Sequence, residues 1–381
     1  MIKGFFSAIE HLHNDAKSQT GLDDFGSSDY LNGLEVLLKA YDSSAQFSEL
    51  GKQITCGTIL NCLKGRLYFQ AATKNFPDYS ETKIENPIFI IGLPRSGTTF
   101  LHRLLCQHPS NQGLENWLGS FPQPRPPRSK WSANPRYLEV EKSLEMYHEM
   151  NPEIKDIHEM AVYEVDECRL LLMHCFANVT FQSNATIPAY EDWLYSSDFT
   201  ETYEYFYRSL QLIGYNDKDK KWVLKDPSHM WSVDYLFNRF PDATIVQIHR
   251  HPKEVIPSVC SLVMSAKMMS EPSTSPILLG HQQLEQWASV LEKTIEIRKK
   301  YSEKFIDIFF HEIVDDPLEA VRKLYISLGE VINRDEINIL DNFVRSDETK
   351  NSKHKYTPEE FGLTDFQIND RFSEYIKHYG L

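Results

Sequence analysis

The chain has 381 residues, of which 41% are hydrophobic and 12% aromatic, so it can bury a large core as one domain or as a domain with an extension. Its formal net charge of -14 argues against a dominant electrostatic attraction to nucleic acid or to an anionic membrane. An anionic ligand must therefore meet a local basic site.

The first residues and the cysteines indicate a reduced, cytoplasmic location. The start, residues 1–6, has a lysine and two phenylalanines but no continuing apolar stretch of signal-peptide length. No other apolar run approaches the length of a membrane span. The six cysteines form no C-x-x-C pair and have no histidines at zinc-site spacing, so buried thiols and no metal are expected. They are Cys56, Cys62, Cys106, Cys168, Cys175 and Cys260.

Residues 1–85 are predicted to form a helical amino-terminal extension, and 86–381 a larger domain. Leucines recur at helical spacing from Leu31 to Leu38, after the capping candidates Ser28 and Asp29.

Two further segments lie in the larger domain. The prolines between Pro122 and Pro127 exclude a helix interior and predict an extended segment on the surface. A helical, acid-rich stretch is predicted from about Tyr137 to Phe176.

Short apolar runs at 88–91, 222–225 and 244–249 are each followed by an amphipathic segment. A fourth run at 305–310 precedes Asp316 and Pro317, a good helix cap and first-turn pair. This rhythm is typical of βα units. It predicts an α/β fold with three layers around a mostly parallel central sheet.

The loop after the first of these strands carries the most specific motif. Residues 92–99, Gly-Leu-Pro-Arg-Ser-Gly-Thr-Thr, nearly satisfy the phosphate-loop spacing, with glycines five apart between a strand and a helix. Backbone amides and the positive end of the helix would converge on one anion, and Ser96, Thr98 and Thr99 add hydroxyl donors. An ordinary glycine turn is the alternative.

One departure separates this loop from that of nucleoside triphosphatases. Thr98 stands where those enzymes have a lysine, and the only cation in the loop is Arg95. A guanidinium can bind the oxygens of one phosphate bidentately and stabilise charge on a bridging oxygen. The pattern disfavours a P-loop kinase or nucleotide hydrolase, which is the enzymatic alternative.

Through Pro94-Arg95-Ser96-Gly97-Thr98-Thr99 the loop resembles that of sulfotransferases that use 3′-phosphoadenosine 5′-phosphosulfate (PAPS). The resemblance implies that Arg95, Ser96, Gly97, Thr98 and Thr99 bind the 5′-phosphosulfate and that Arg95 also acts in catalysis. It covers roughly residues 86–375, so 86–381 is expected to be the catalytic domain.

The same family holds the 3′-phosphate with an arginine after a strand and a serine in the next helix. Residues 245–252 lead into a predicted helix that carries Ser258, so the resemblance implies that Arg250 and Ser258 play these parts. His251 departs from the aspartate that the family often shows, which would make the local field more positive. A surface salt bridge is the alternative for Arg250.

Two other basic elements follow from the resemblance. Residues 222–229 look like the Lys-x-Pro element of the bacterial and protein-tyrosine sulfotransferase branch, which implies that Lys225 stabilises the sulfuryl and leaving-group oxygens. A solvated lysine is the alternative. Lys353 and His354 are expected to close over the 3′-phosphate, and a solvated tail is equally compatible with the sequence.

A general base must take the acceptor proton. Glu115 is the first candidate, because the protein-tyrosine branch places a catalytic glutamate there, and His158 is the second, because histidine titrates near neutral pH. A helix-end carboxylate and a buried structural histidine are the respective alternatives. His102 is predicted to pack under the loop and His229 to open a helix.

Acidic residues are dense from Glu149 to Glu167, and a solvated helix face is the simplest reading. If several faced the crevice, they would favour a cationic acceptor. The sequence thus predicts a sulfotransferase that moves a sulfuryl group from PAPS to a hydroxyl or amine of a small-molecule acceptor, without metal, nucleic-acid or membrane partners. A catalytically silent nucleotide-binding protein is the alternative from another class, and the oligomeric state is open.

Overall fold

The computed structural model describes residues 4–152, 160–346 and 356–381. Two compact units alternate along the sequence. The first consists of Met1–Ile84, Leu114–Lys218 and Ser265–Thr274, and the second of Glu85–Gly113, Asp219–Met264 and Ser275–Leu381. The division into 1–85 and 86–381 stays a prediction.

The first unit is helical and packs around aromatic side chains. The rings of Phe69 and Tyr205 are 4.9 Å apart in one buried cluster of this unit. Ser48 caps its longest helix by accepting a hydrogen bond from the Gly51 amide. Its described α-helices are Ile9–Thr20, Tyr30–Ser44, Glu49–Asn75, Asn116–Ser120, Pro135–Met150, Arg169–Leu172, Thr180–Asn184, Pro188–Tyr195 and Thr200–Ile213. Its short 3₁₀ turns are Phe6–Ala8, Pro77–Glu81, Arg128–Ala133, Met173–Cys175 and Gly214–Asn216.

The second unit contains a five-stranded sheet in which every strand pair is parallel. The strands are β1 (Ile88–Gly92), β2 (Asn111–Gln112), β3 (Lys221–Lys225), β4 (Thr244–His249) and β5 (Phe305–Phe309). Their order across the sheet is β2-β3-β1-β4-β5. Ile90 at the centre pairs with Lys225 of β3 and Val246 of β4.

Helices cover this sheet because its central strand, β1, is apolar throughout. All residues of β1 are buried, which requires cover on both faces. On one face Ile90 and Val246 pack in a single core with Leu101 and Leu104 of the helix after β1. The described α-helices of this unit are Thr98–Leu105, Val233–Arg239, Pro252–Ser270 (whose end from Ser265 belongs to the first unit), Pro276–Arg298, Phe310–Asp315, Pro317–Ser327, Arg334–Ser346, Asp365–Arg371 and Ser373–Tyr379. Its 3₁₀ turns are Pro227–Trp231, Ser302–Lys304 and Pro358–Phe361.

The predicted α/β fold with a parallel central sheet is confirmed. Four strands match the predicted runs, and β2 was not predicted because two residues carry no periodic signal. The chain runs from β1 to β2 and β3 on one side, then crosses to β4 and β5 on the other. The carboxyl ends of β3, β1 and β4 are therefore neighbours at a topological switch point, where doubly wound sheets bind ligands.

The prediction of one helical stretch from Tyr137 to Phe176 is wrong. The helix Pro135–Met150 ends before Pro152, and residues 162–166 are not helical. Their backbone instead bonds to another segment: the Asn116 amide donates to the Glu164 carbonyl at 2.9 Å, and the Asp166 amide to the Leu114 carbonyl at 2.7 Å. These hydrogen bonds between distant segments compete with helix formation, and the local spacing of apolar residues does not reveal them.

The proline-rich segment from Pro122 to Pro127 contains no helix, as predicted, but the prediction that it runs over the surface is wrong for part of it. Pro122, Pro124 and Arg125 are buried. Arg125 is buried because two carboxylates of the same unit, Glu115 and Asp217, accept hydrogen bonds from its guanidinium.

All six cysteines are free thiols. Within the described ranges no helix is both long and apolar enough to cross a membrane.

Acid should destabilise the fold through His229. Its burial lowers its pKa from 6.5 to about 3, so the folded chain keeps it neutral while the unfolded chain binds a proton. This contribution to stability is complete above about pH 6.5 and is lost as the pH falls toward 3. We expect His229 to lower the free energy of unfolding by about 1.4 kcal/mol per pH unit in that window.

Denaturant unfolding at several pH values measures this slope. His229→Phe should make it shallower by that amount, whereas His11→Gln, at an exposed pair with Asp15, should leave it unchanged. Equal slopes in wild type and His229→Phe would contradict the assignment.

Candidate functional site

The loop between β1 and the helix Thr98–Leu105 has a backbone that its glycines make possible. Gly92 and Gly97 have φ of +145° and +89°, and a Cβ on Gly92 would lie 2.6 Å from the Ile248 carbonyl oxygen. Arg95 also has a positive φ, +68°, which is strained for a residue with a side chain. Such strain persists where surrounding contacts impose it, and it is common at ligand sites.

Two features of this loop suit an anion. The turn is closed by Ser96, which is fully buried and donates its hydroxyl to the Leu93 carbonyl at 2.6 Å. The following helix starts after Gly97 without a side-chain cap, so its first amides and positive dipole end are directed toward the loop. Ser96 therefore shapes the turn, while the amides supply donors.

Arg95 and Ser258, predicted to bind opposite ends of one nucleotide, contact each other. Arg95 Nε donates to Ser258 Oγ at 3.2 Å, across the gap between the loop and the helix after β4. Burial lowers the pKa of Arg95, Tyr356 acts to raise it, and the nearby Arg250 cation lowers it further. A half-buried cation beside a second cation is stabilised when an anion binds between them.

Arg250 is anchored on three sides. Its Nη1 donates to the Arg95 carbonyl at 2.7 Å, its Nε to Glu254 Oε2 at 3.1 Å, and its guanidinium lies 3.9 Å from the Phe310 ring centroid. The predicted alternative, a salt bridge, does exist, but it uses one edge of the guanidinium. Among the described residues Nη2 has no hydrogen-bond partner, so this donor can meet a ligand.

Phe310 was missed by the sequence analysis. It follows β5 directly, and besides lying against Arg250 it limits the space beside Gly97, where a Cβ would come within 3.1 Å of the ring. The ring thus supports both the loop and the second arginine. The available signal was an aromatic residue at the carboxyl end of a predicted strand, which is too common to single out.

Lys225 is the last residue of β3 and is buried, so the alternative of a solvated lysine is wrong. Its Nζ donates to Thr99 Oγ1 at 3.2 Å, which places an ammonium group beside the first turn of the loop helix. His102, one turn later, is buried and hydrogen-bonds the Val223 carbonyl at 3.0 Å, as expected of a residue packed beneath the loop.

Glu115 lies in the first unit, at the residue before the helix Asn116–Ser120. Its Oε2 accepts from Arg125 Nε at 3.0 Å, and Arg125 Nη1 donates to Asp217 at 2.9 Å. Burial acts to lower the pKa of Arg125, but the two carboxylates outweigh it and raise that pKa. Within the described part of the chain, Oε1 of Glu115 has no partner, so this oxygen is available to accept a proton.

Other predicted residues stand differently. His158, Lys353 and His354 lie outside the described residues. In the acid-rich stretch, Asp166 accepts a hydrogen bond from Asn116 at 2.7 Å, and Glu167 is 2.8 Å from Arg169. Glu167 is thus paired with a cation of its own unit, and Asp166 with a neutral donor.

Comparison with known proteins gives consistent results. A sequence model described as "Sulfotransferase family" matches residues 87–333. The crystal structure of sulfotransferase STF1 from Mycobacterium tuberculosis H37Rv is 36% identical, with a TM-score of 0.89 over 98% of this chain and 100% of that one. Sulfotransferase STF9 from Mycobacterium avium has the same fold, with a TM-score of 0.88 at 23% identity over 97% of this chain and 96% of its own.

A curated relative is named omega-hydroxy-beta-dihydromenaquinone-9 sulfotransferase Stf3, from Mycobacterium tuberculosis (strain CDC 1551 / Oshkosh). It is 24% identical over 273 residues, which are 66% of this chain. The chain spans 64% of the length of that relative.

Proposed function

Because this chain belongs to the sulfotransferase family, we propose that it moves a sulfuryl group from PAPS to a hydroxyl group of a small acceptor. The proposal rests on two hydrogen bonds at the switch point of the sheet. Arg95 donates to the Ser258 hydroxyl, and Arg250 donates to the backbone carbonyl of Arg95. Two guanidinium groups and a helix start, gathered in one place, suit a ligand with several anionic groups better than a single phosphate.

In the proposed reaction the acceptor oxygen attacks sulfur, and the bond between sulfur and the bridging oxygen of the phosphosulfate breaks. Arg95 and the loop amides would hold the 5′ end, with Ser96, Gly97, Thr98 and Thr99 forming the turn, and Arg250 with Ser258 would hold the 3′-phosphate. Lys225 would stabilise charge on the sulfuryl and leaving oxygens, because its ammonium is buried next to Thr99. PAPS fits these residues as the donor.

Glu115 is the proposed general base. Arg125 donates a hydrogen bond to one of its oxygens and so orients the carboxylate. Asp217 shares the charge of Arg125, so Glu115 is not the sole counter-ion. His158 is the second proposed candidate.

For the acceptor we propose a neutral alcohol. A cationic acceptor would need acids without a cationic partner, but Glu167 is already paired with Arg169. The name of the Stf3 relative includes an omega-hydroxy group, which is consistent with transfer to a hydroxyl. A panel of neutral and cationic alcohols tests this choice, and preferential sulfation of the cationic members would overturn it.

Arg95→Ala should lower turnover by about 100-fold or more, because a donor to the charge that develops in the transition state is removed. Transfer of labelled sulfate from PAPS measures the loss. Arg345→Ala, at an exposed ion pair with Asp341, is the matched control and should retain full activity. Unchanged turnover in Arg95→Ala would overturn the assigned role.

Nucleotide binding and turnover of other donors distinguish this activity from the alternative functions. Tight binding of adenosine 3′,5′-bisphosphate with no sulfation of any acceptor would indicate a silent nucleotide-binding protein. Turnover of ATP with magnesium, and none with PAPS, would indicate a phosphoryl-transfer enzyme.

Glu115→Gln should lower kcat by about 100-fold or more, the usual range for loss of a general base, and leave KM for PAPS within about twofold. Asp217→Asn also removes a carboxylate from Arg125 but no base, so its kcat should fall only slightly. If both variants lose activity in parallel with their melting temperatures, Glu115 has a structural role only.

A further inference from the structure

The end of β5 brings an aromatic ring against the turn that carries Arg250. The last pair of the parallel ladder between β4 and β5 joins His249 and Phe309, so the residues that follow them, Arg250 and Phe310, leave the sheet side by side. The Arg250 guanidinium lies over the Phe310 ring, 3.9 Å from its centroid. The register of the sheet therefore produces a cation–π contact.

The same ring also borders the loop after β1. A Cβ on Gly97 would come within 3.1 Å of Phe310 Cδ2 and 3.2 Å of its Cε2. Gly97 has a φ of +89° and directly precedes the helix Thr98–Leu105. One side chain thus lies next to the start of this helix and next to the second arginine, which are the two elements proposed to bind anions.

Phe310 is itself held in place by its own turn. Glu312 accepts a hydrogen bond from the Phe309 amide at 2.9 Å, which fixes the backbone as it leaves β5. Ile313 is buried in the same core as Leu101, which belongs to the helix after the loop. The ring therefore has a defined place in the chain without any ligand.

We propose that Phe310 is a positioning residue for Arg250, and that it acts through the electron-rich face of its ring rather than through its bulk. This inference rests on the proposed function, in which Arg250 holds the 3′-phosphate. Glu254 and the Arg95 carbonyl bind edges of the guanidinium, whereas the ring covers one of its faces. Contacts at the edges and at a face fix the orientation of the group, which lowers the entropic cost of binding an anion.

The charge of the site explains why a ring suits this place. Arg250 must stay close to Arg95, whose carbonyl accepts from its Nη1 at 2.7 Å. A further carboxylate could hold the guanidinium too, but it would repel the phosphate that the arginine is proposed to bind. A phenyl ring attracts the guanidinium and carries no net charge. Phe310 thus holds the cation and leaves its charge available to a ligand.

A fluorine series at position 310 tests the proposal. Mono-, di- and trifluorophenylalanine have nearly the shape of phenylalanine, but each fluorine withdraws electron density from the face of the ring and weakens its attraction for Arg250. Calorimetric titration of the full chain with adenosine 3′,5′-bisphosphate should give a Kd that rises along the series, by about 3- to 10-fold for the trifluoro variant. A Kd that does not change along the series would overturn the inference.

Phe305→Leu is the matched control for Phe310→Leu. Phe305 lies at the other end of β5, and Arg298 lies 4.6 Å from its ring centroid, so the control also removes a ring from an arginine. Below the melting temperature of each variant, Phe310→Leu should raise the Kd by about 3- to 10-fold and Phe305→Leu should leave it unchanged. Phe310→Tyr keeps the ring and should restore the wild-type Kd. Equal Kd values for the two leucine variants would contradict the proposal.

Steady-state kinetics supply a readout that a loss of stability alone would not produce. The trifluoro variant should raise KM for PAPS by the same factor as Kd and leave kcat at saturation unchanged, because the reacting groups are untouched. A fall in kcat without a change in KM would overturn the inference. If the wild-type chain binds no adenosine 3′,5′-bisphosphate, the proposed function fails and the inference with it, whereas binding with a flat fluorine series refutes the inference alone.

Discussion

The hydrogen bond from the Arg250 guanidinium to the Arg95 carbonyl joins turns that leave two different strands, and the architecture of the site depends on it. It is possible only because β1 lies next to β4, so that their carboxyl ends are neighbours. It also brings two cations together in a half-buried place, which is unfavourable without compensation. Glu254, Phe310 and the residues that hold each turn offset part of this repulsion, and a polyanionic ligand would offset the rest.

Much of this arrangement could be predicted because it is encoded in short segments. An apolar run followed by Gly92 and Gly97 specifies a strand, a tight turn and a helix start. The position of Lys225 was predictable in the same way, because it ends the apolar run that forms β3. Strand-end residues of neighbouring parallel strands meet whatever the intervening sequence is. The contact of Arg95 with Ser258 was not predicted, since both were assigned to opposite ends of a ligand rather than to each other.

What could not be predicted depends on partners far away in the sequence. The segment 162–166 lies within a stretch that the sequence analysis predicted to be helical, but its amides and carbonyls pair with residues 114–117. Arg125 lies in a proline-rich stretch, and its carboxylate partners, Glu115 and Asp217, are 10 and 92 residues away in the sequence. Phe310 is an ordinary aromatic residue until the sheet places it beside Arg250. Local periodicity contains no information about such pairings.

The position of β1 at the centre of the sheet also constrains how the chain folds during synthesis. Its described partners are β3 and β4, so Ile88 waits for Val223 and Thr244 to leave the ribosome before it can pair. Until then the apolar strand β1 and the turn after it lack their neighbours in the sheet. The pairing is slow because the loop between Ile88 and its partners Val223 and Thr244 is long. We therefore expect this segment, where the ligand is proposed to bind, to be open to aggregation and to capture by chaperones in the nascent chain.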